Sequence, residues 1–318
     1  VIDQLAIDNA DKNIVYVDHD WPTPTPIRWE VIRHTEEGMG LTWAMVESGQ
    51  MYSRGVETPE EAIEKYTAMS NYAMAKEALA DIKADYYVQD GMVYFKVTVT
   101  NLSEVTLSNE NNGFVHAFIK ETGYKHPTNT SHNAARGVGM TRIESLAIDA
   151  TGIYYVAFPH RDVNDWENVE AYAFVDYQTE PNGVYNQLNA AKATEVEPVE
   201  ANITVSPAKT HILAPIGYET LRDVELTVTA DEGVEWTVTA NQPWVTIDIP
   251  EAKGETMVKL SFDKTLIHNG ENSVTLYVKD NESDAFAFAQ VSIWVEYDTG
   301  GWEKMIFPRI YFPVLNTK

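Results

Sequence analysis

The chain has no cysteine at all. That absence removes thiolate nucleophiles, disulfide staples and thiolate metal sites together. It also lacks any run of about 18 apolar residues, the length a helix needs to cross a bilayer. Positive charge is scarce: 23 Lys and Arg stand against 48 Asp and Glu, a formal net charge of −25 over 318 residues. Without a basic stripe to neutralise phosphates, neither nucleic acid nor an anionic membrane surface is an expected partner. Neither a Gly-x-Ser-x-Gly elbow nor a Gly-x-x-x-x-Gly-Lys phosphate loop occurs, so no sequence motif commits the chain to catalysis. The chain starts at Val1 with no positively charged segment leading into an apolar run. A signal peptide is therefore expected to have been removed or never included.

What the sequence does contain is β-forming segments separated by turn residues. To about residue 84 strand and helix are mixed. "NIVYVDHDW" reads as a buried strand running into "PTPTP", whose prolines forbid a regular helix. "LTWAMVESG" reads as a second strand. The segment "TPEEAIEKYTAMSNYAMAKEALADI" predicts a helix: Thr58 caps it, Pro59 suits the first turn and Glu61 completes a capping box. Ile63, Tyr66, Met69 and Ala73 share a stripe at helical spacing and are the predicted core face.

From about residue 85 the period becomes two. "MVYFKVTVTNLS" sets Val93, Phe95, Val97 and Val99 on one face, and "GFVHAFIKE", "GIYYVAFP" and "VEAYAFVDY" follow as further strands. Regular strands with Gly, Asn and Pro between them predict a β-sandwich. "NAAKATEVEPVEA" reads as a polar linker. A second strand series, from "DVELTVTA" to "AFAFAQVSIWVEY", predicts another sandwich of about a hundred residues. The expected organisation is 1–84, a small α+β domain; 85–195, a sandwich; 196–201, a linker; 202–297, a second sandwich; and 298–318, an apolar tail.

Two stretches carry resemblances. "KNIVYVDHDWPTPTPIRWEVI", "LTWAMVESGQMYSRG", "ADYYVQDGMVYFKVTVTNLS" and "DWENVEAYAFVDYQTEPNGVYNQLNAAKA" resemble secreted bacterial proteins, related to outer-membrane lipoproteins, that pair a thioredoxin-like with an immunoglobulin-like domain. The resemblance implies a first domain that is a truncated thioredoxin-like remnant, redox-dead because Cys-x-x-Cys is missing. "ANITVSPAKTHILAPIGYETLRDVELTVTADEGVEWTVTANQPWVTI", together with "HNGENSVTLYV", is similar to the BACON group of bacterial immunoglobulin-like modules. That group implies attachment to extracellular enzymes or surface proteins, with carbohydrate or mucin as its suspected ligand. The overall expectation is mainly β: tandem immunoglobulin-like β-sandwiches behind a small α+β domain.

The candidate sites follow from this frame. The tail "KMIFPRIYFPVLNTK" places Ile306, Phe307, Ile310, Tyr311, Phe312, Val314 and Leu315 near the end of an acidic chain, and "VIDQLAID" places Val1, Ile2 and Leu5 at its start. An apolar segment must be covered, and an extended one satisfies the free edge of a sandwich while alternate side chains fill pockets. Pro308 and Pro313 would then occupy positions where no ladder hydrogen bond is donated. Copies of the same chain are the expected partners and the surface of a bacterial cell the expected location, in a filament, sheath or surface layer. No catalytic residue, cofactor or metal is assigned.

The alternative is a cell-surface carbohydrate-binding or adhesion module. Trp236 and Trp244 would stack on surface glycans, although tryptophans at strand positions also serve as core residues. Asn101, Asn129, Asn202 and Asn281 begin Asn-x-Ser/Thr sequons and are candidate glycosylation sites. His126 and His132 flank a loop without metal-ligand spacing, and "RDVNDWEN" and "DNESD" offer oxygen ligands without the calcium-loop pattern, so ordinary turns are expected at both.

Overall fold

A computed structural model describes residues 5, 7–9, 16, 43–46, 51–54, 58–126, 129–131, 133–179, 185–198, 203–215, 217–267, 270–283 and 285–296. The chain forms two compact units, Val1–Val199 and Glu200–Lys318. In the first, β1 (Trp43–Val46) and β2 (Met51–Arg54) form an antiparallel hairpin, followed by α1 (Pro59–Met74). Thr58 is the N-cap, its hydroxyl accepting the Glu61 N–H at 3.1 Å, and Pro59 sits in the first turn where a missing N–H costs nothing.

Strand β3 (Ala80–Gln89) turns at Asp90–Gly91, both at positive φ, into β4 (Met92–Asn101). Then come β5 (Leu107–Ser108), β6 (Phe114–Glu121), β7 (Tyr124–His126), β8 (Asn129–Ser131), β9 (Ala134–Arg142) and β10 (Ser145–Leu146). The unit closes with β11 (Thr151–Pro159), β12 (Val169–Gln178), β13 (Tyr185–Lys192) and β14 (Thr194–Glu195). One sheet has the order β11-β4-β3-β14, the other β13-β12-β6-β9. Val93, Phe95, Val97 and Val99 of β4 pack with Val115, Ala117 and Ile119 of β6 and Ala171, Ala173 and Val175 of β12 in one core. Phe158 of β11 lies so close to β9 that a Cβ on Gly137 or Gly139 would come within 2.7 Å of its ring. Only glycine allows β9 that approach.

In the second sheet all eight residues of β6 are buried, as are Ala171–Gln178 of β12, so these two central strands are covered on both faces. Behind the main core, Phe118, Tyr172 and Phe174 form a second cluster with Val138 and Ala190.

The second unit runs through β15 (Ile203–Ser206), β16 (Lys209–Ala214), β17 (Val224–Ala230), β18 (Glu235–Ala240) and β19 (Val245–Ile247). It continues with β20 (Glu251–Lys253), β21 (Thr256–Phe262), β22 (Gly270–Asp280) and β23 (Phe286–Val295). Its sheets are β15-β17-β21-β19 and β16-β23-β22-β18-β20. β15 and β16 flank the cis Ser206–Pro207 bond and belong to different sheets, and β16 runs parallel to β23. This edge-strand switch, with the remaining pairs of each sheet antiparallel, gives an immunoglobulin-like sandwich around Trp236, Leu226, Leu260, Leu276 and Ile293. The chain is mainly β.

Three local expectations need correction. The helix ends at Met74, and Ala80–Ile82, read above as its last turn, begins β3, where Ala80, Ile82, Ala84 and Tyr86 alternate inward. Pairing with β4 along the whole strand overrides the alanine-rich local preference. The buried stripe of α1 is Ala62, Tyr66, Met69 and Ser70, whereas Ile63 is exposed. Finally, Leu5, Ile7 and Asp8 are helical, so Leu5 does not belong to an extended donor strand. The Leu5 carbonyl accepts from both the backbone N–H and the side-chain Nδ2 of Asn9, at 3.0 and 2.8 Å. Asn9 also donates to the Tyr16 hydroxyl, which pairs with Ser70 of α1 at 2.8 Å. These bonds tie the segment to its own unit. Val1, Ile2 and the whole apolar tail, Ile306, Phe307, Ile310, Tyr311, Phe312, Val314 and Leu315 included, lie outside the described residues.

Candidate functional site

The first unit buries several charged groups, which is costly unless each is paired and hydrogen-bonded. On β6 and β12, His116 Nε2 lies 3.0 Å from Asp176 Oδ1, both buried, with the imidazole stacked on Phe174 at 4.3 Å. Four residues further along β6, Lys120 Nζ reaches Asn133 Oδ1 at 2.9 Å and Glu170 Oε2 at 3.1 Å, above the ring of Tyr172. Burial pushes the Glu170 carboxyl up, but hydrogen bonds from Lys192 and Lys120, the Lys120 charge and the Tyr172 hydroxyl outweigh it and hold it at about 2. Glu121, buried, accepts the backbone N–H groups of Asn164 and Asp165. Every one of these groups is engaged with a neighbour, which makes them a scaffold.

The sequence candidates separate once their exposure is known. Trp236 is fully buried and its Nε1 donates to the Gly254 carbonyl at 2.8 Å; Trp244 is buried beside Phe262. Neither offers a ring face to a glycan, so the expected platform is corrected: both tryptophans belong to the core of the second unit. Asn101 is buried too, its Nδ2 donating to the carbonyls of Val105, Leu146 and Ala147 while Oδ1 accepts from Ser103. The nitrogen that would carry a glycan instead fixes the β4–β5 connection. Asn281 is exposed at a turn, Asn129 lies in β8, and Asn202 lies outside the described residues. The side chain of His126 and all of His132 lie outside them as well. In "DNESD", Asp280 Oδ1 and Oδ2 accept from the Glu282 N–H and the Ser283 hydroxyl, an ordinary turn. Among the described residues no group of three or more His, Asp or Glu stands together as a metal site.

A feature the sequence did not flag is the edge strand β16. Its Ile212 and Ala214 face the core, while Leu213 on the other face is 73% exposed. Beside it in register lies Trp294 of β23, 38% exposed. The N–H groups of Gln290 in β23 and of Glu296 just past it bond the carbonyls of Ala208, just before β16, and of Ala214, so even-numbered positions of β16 face β23. By strand alternation Lys209, His211 and Leu213 direct their backbone groups away from the sheet. The His211 carbonyl there accepts from Arg222 at 3.3 Å. The edge is thus a short ladder beside an apolar pair.

These two units define the class: a chain of immunoglobulin-like β-sandwiches. No protein-family model matches it, and no curated protein does. Among solved structures it is similar to the ligand-binding region of serine-glutamate repeat protein A of Enterococcus faecium, at 14% identity and a TM-score of 0.22, covering 37% of this chain and 98% of that one. It is also similar to the D00–D0 domain of Intimin, at 12% identity and 0.23, covering 67% and 99%. A third is a GH5 xyloglucanase of Bacteroides ovatus in complex with a XXXG heptasaccharide, at 13% identity and 0.24, covering 30% of this chain and 20% of that one. The present chain spans only a fifth of that enzyme. Scores of this size carry no argument about activity or partner.

Proposed function

We propose that the protein is a non-enzymatic structural module of the bacterial cell surface or extracellular space, a subunit that assembles with copies of itself into a filament, sheath or layer. In this reading the outward edge of β16 receives the apolar segment Ile306–Leu315 of a second copy. The observation that carries the reading is Leu213, exposed on an edge strand with Trp294 beside it. An edge strand whose outward backbone groups face away from its own sheet, beside an apolar strip, is what an added strand uses, and here the Arg222 side chain on the His211 carbonyl would have to be displaced. The N-terminal alternative is weaker, because Leu5 is helical and its neighbour Asn9 is tied to the first unit.

The two prolines narrow the added strand. Backbone N–H groups alternate in direction along a strand, and Pro308 and Pro313 are five positions apart, so one of them must face the ladder if the whole segment pairs. Uninterrupted pairing therefore runs either from Ile306 to Phe312 with Pro308 facing outward, or from Arg309 to Leu315 with Pro313 facing outward, and in both Ile310 and Phe312 share one face. Ile306 follows Val295 by eleven residues, a reach of about 36 Å when extended. That length serves a second copy or the same one, and mass separates the two.

The test is light scattering and negative-stain microscopy of the full chain, of a form cut after Gly300, and of Leu213→Lys. The proposal expects long particles from the full chain and single copies from both altered forms. Compact single copies in all three would replace assembly with an intramolecular clasp.

A further inference from the structure

With Trp236 and Trp244 in the core, the tryptophan of the first unit that meets solvent among the described residues is Trp166, 43% exposed. It stands in the β11–β12 connection, on a 3-10 turn Trp166–Asn168. Single exposed aromatics are ordinary. What sets this one apart is how firmly its loop is held.

The loop is fixed from both ends and from beneath. The His160 N–H reaches the Gly91 carbonyl at 3.3 Å, the Arg161 N–H reaches the Arg136 carbonyl at 2.7 Å, and the Thr122 N–H bonds the Asn168 carbonyl at 3.0 Å. Beneath it, Glu121 takes the Asn164 N–H at 3.0 and 3.1 Å on its two oxygens and the Asp165 N–H at 2.9 Å. Asp165 caps the turn, accepting from the Glu167 N–H at 3.0 Å and from Asn168 Nδ2 at 2.9 Å. The cost of taking the Glu121 carboxylate out of water is offset by the N–H groups it accepts, which fasten this loop to β6. Such anchoring preorganises whatever the loop presents.

It presents a corner. The His160 ring stands perpendicular to the indole, with centroids 4.9 Å apart. His160 Nδ1 lies 3.0 Å from the Arg161 carbonyl, which only accepts, so Nδ1 carries the proton and in the neutral ring Nε2 is left as an acceptor. Arg161, Asp162 and Glu167, all exposed, stand on the same loop with donors and acceptors for hydroxyl groups. An apolar ring, a perpendicular acceptor and a rim of charged groups match a sugar, whose C–H face stacks on an aromatic while its hydroxyls take hydrogen bonds.

We propose that Trp166 and His160 form a binding site for a pyranose ring of a glycan, independent of the assembly edge on the second unit. The test uses the full chain and three probes, cellotetraose, β-1,4-galactobiose and chitotriose, read by saturation-transfer NMR and tryptophan fluorescence. At least one probe is expected to receive saturation on its ring C–H protons. In Trp166→Ala the affinity falls about tenfold or more, the size of a lost aromatic contact with its buried area, while Trp166→Phe loses less. Leu213→Lys leaves it unchanged, which separates this site from assembly. Trp166 lies on the surface, so thermal unfolding of Trp166→Ala should match the parent and certify the fold. Silence from all three probes, or transfer that persists in Trp166→Ala, overturns the proposal.

Discussion

Among the described residues the first unit buries Lys120, Glu121, Arg136, His116 and Asp176, whereas the only charged side chain buried in the second is Asp280, at a strand end. The difference follows from which residues the covered central strand of each unit carries. In the first unit β6 is buried along its whole length, so alternate residues that would otherwise reach water must find partners inside: His116 finds Asp176, and Lys120 finds Asn133 and Glu170. In the second unit β16, β17, β18 and β21 alternate between inward and more exposed positions, while the central strand β22 is buried on both faces with the uncharged Thr275 and Tyr277 opposite the core-facing Val274, Leu276 and Val278. Both units bury a central strand on both faces, and only the first fills the second face with charged groups that need partners.

Perturbations should therefore act differently on the two units. The largest effect is expected from Trp236→Ala, which removes the largest fully buried side chain and its bond to Gly254, for about 3–5 kcal/mol. Calorimetry should show the loss in the second unit while the first keeps its transition. Next comes Glu121→Ala, which strands the N–H groups of Asn164 and Asp165 at about 1–3 kcal/mol. Its distinctive mark is faster amide exchange at Asn164 and Asp165, confined to the first unit. Gly139→Ala should cost a similar or smaller amount, about 1–3 kcal/mol, by driving a methyl into Phe158. Urea unfolding would measure it.

Acid sharpens the comparison more gently. Glu170 sits well below its ordinary 4.5, so its folded-state contribution is present above about that pH and fades as the pH falls towards 2. The first unit should lose stability across that window. At the other end, burial with Tyr94 alongside pushes Tyr87 up to about 12, and burial with Glu144 nearby does the same for Tyr154. Both favour the neutral phenol in the fold, so their contribution is whole below 10 and is lost as pH rises from 10 towards 12. Ultraviolet titration should find these two ionising late.

Much of the fold was legible because its strands follow simple alternation. Val93, Phe95, Val97 and Val99 point inward as their spacing predicts, and Thr58 caps the helix that it precedes. Legibility failed where a tertiary partner decides. Alternation in "FVHAFIKE" implies a wet face for His116 and Lys120, but both are covered, and nothing local announces the second layer. Ala80–Ile82 carries helix-forming residues yet pairs with β4. Tryptophans at strand positions in a sandwich more often pack a core than face solvent, and both Trp236 and Trp244 are buried. "RDVNDWEN" was readable as a turn from its Asp and Asn residues; that Trp166 stays outside depends on Glu121, more than forty residues earlier.

The central claim is that the outward edge of β16 accepts the apolar tail as an added strand. Its most direct test adds a synthetic peptide of residues 301–318 to the chain cut after Gly300 and follows amide exchange residue by residue. The account predicts new protection at the outward N–H groups of Lys209, His211 and Leu213, lost in Leu213→Lys. Unchanged exchange along β16, or protection gathered on another edge, would contradict it.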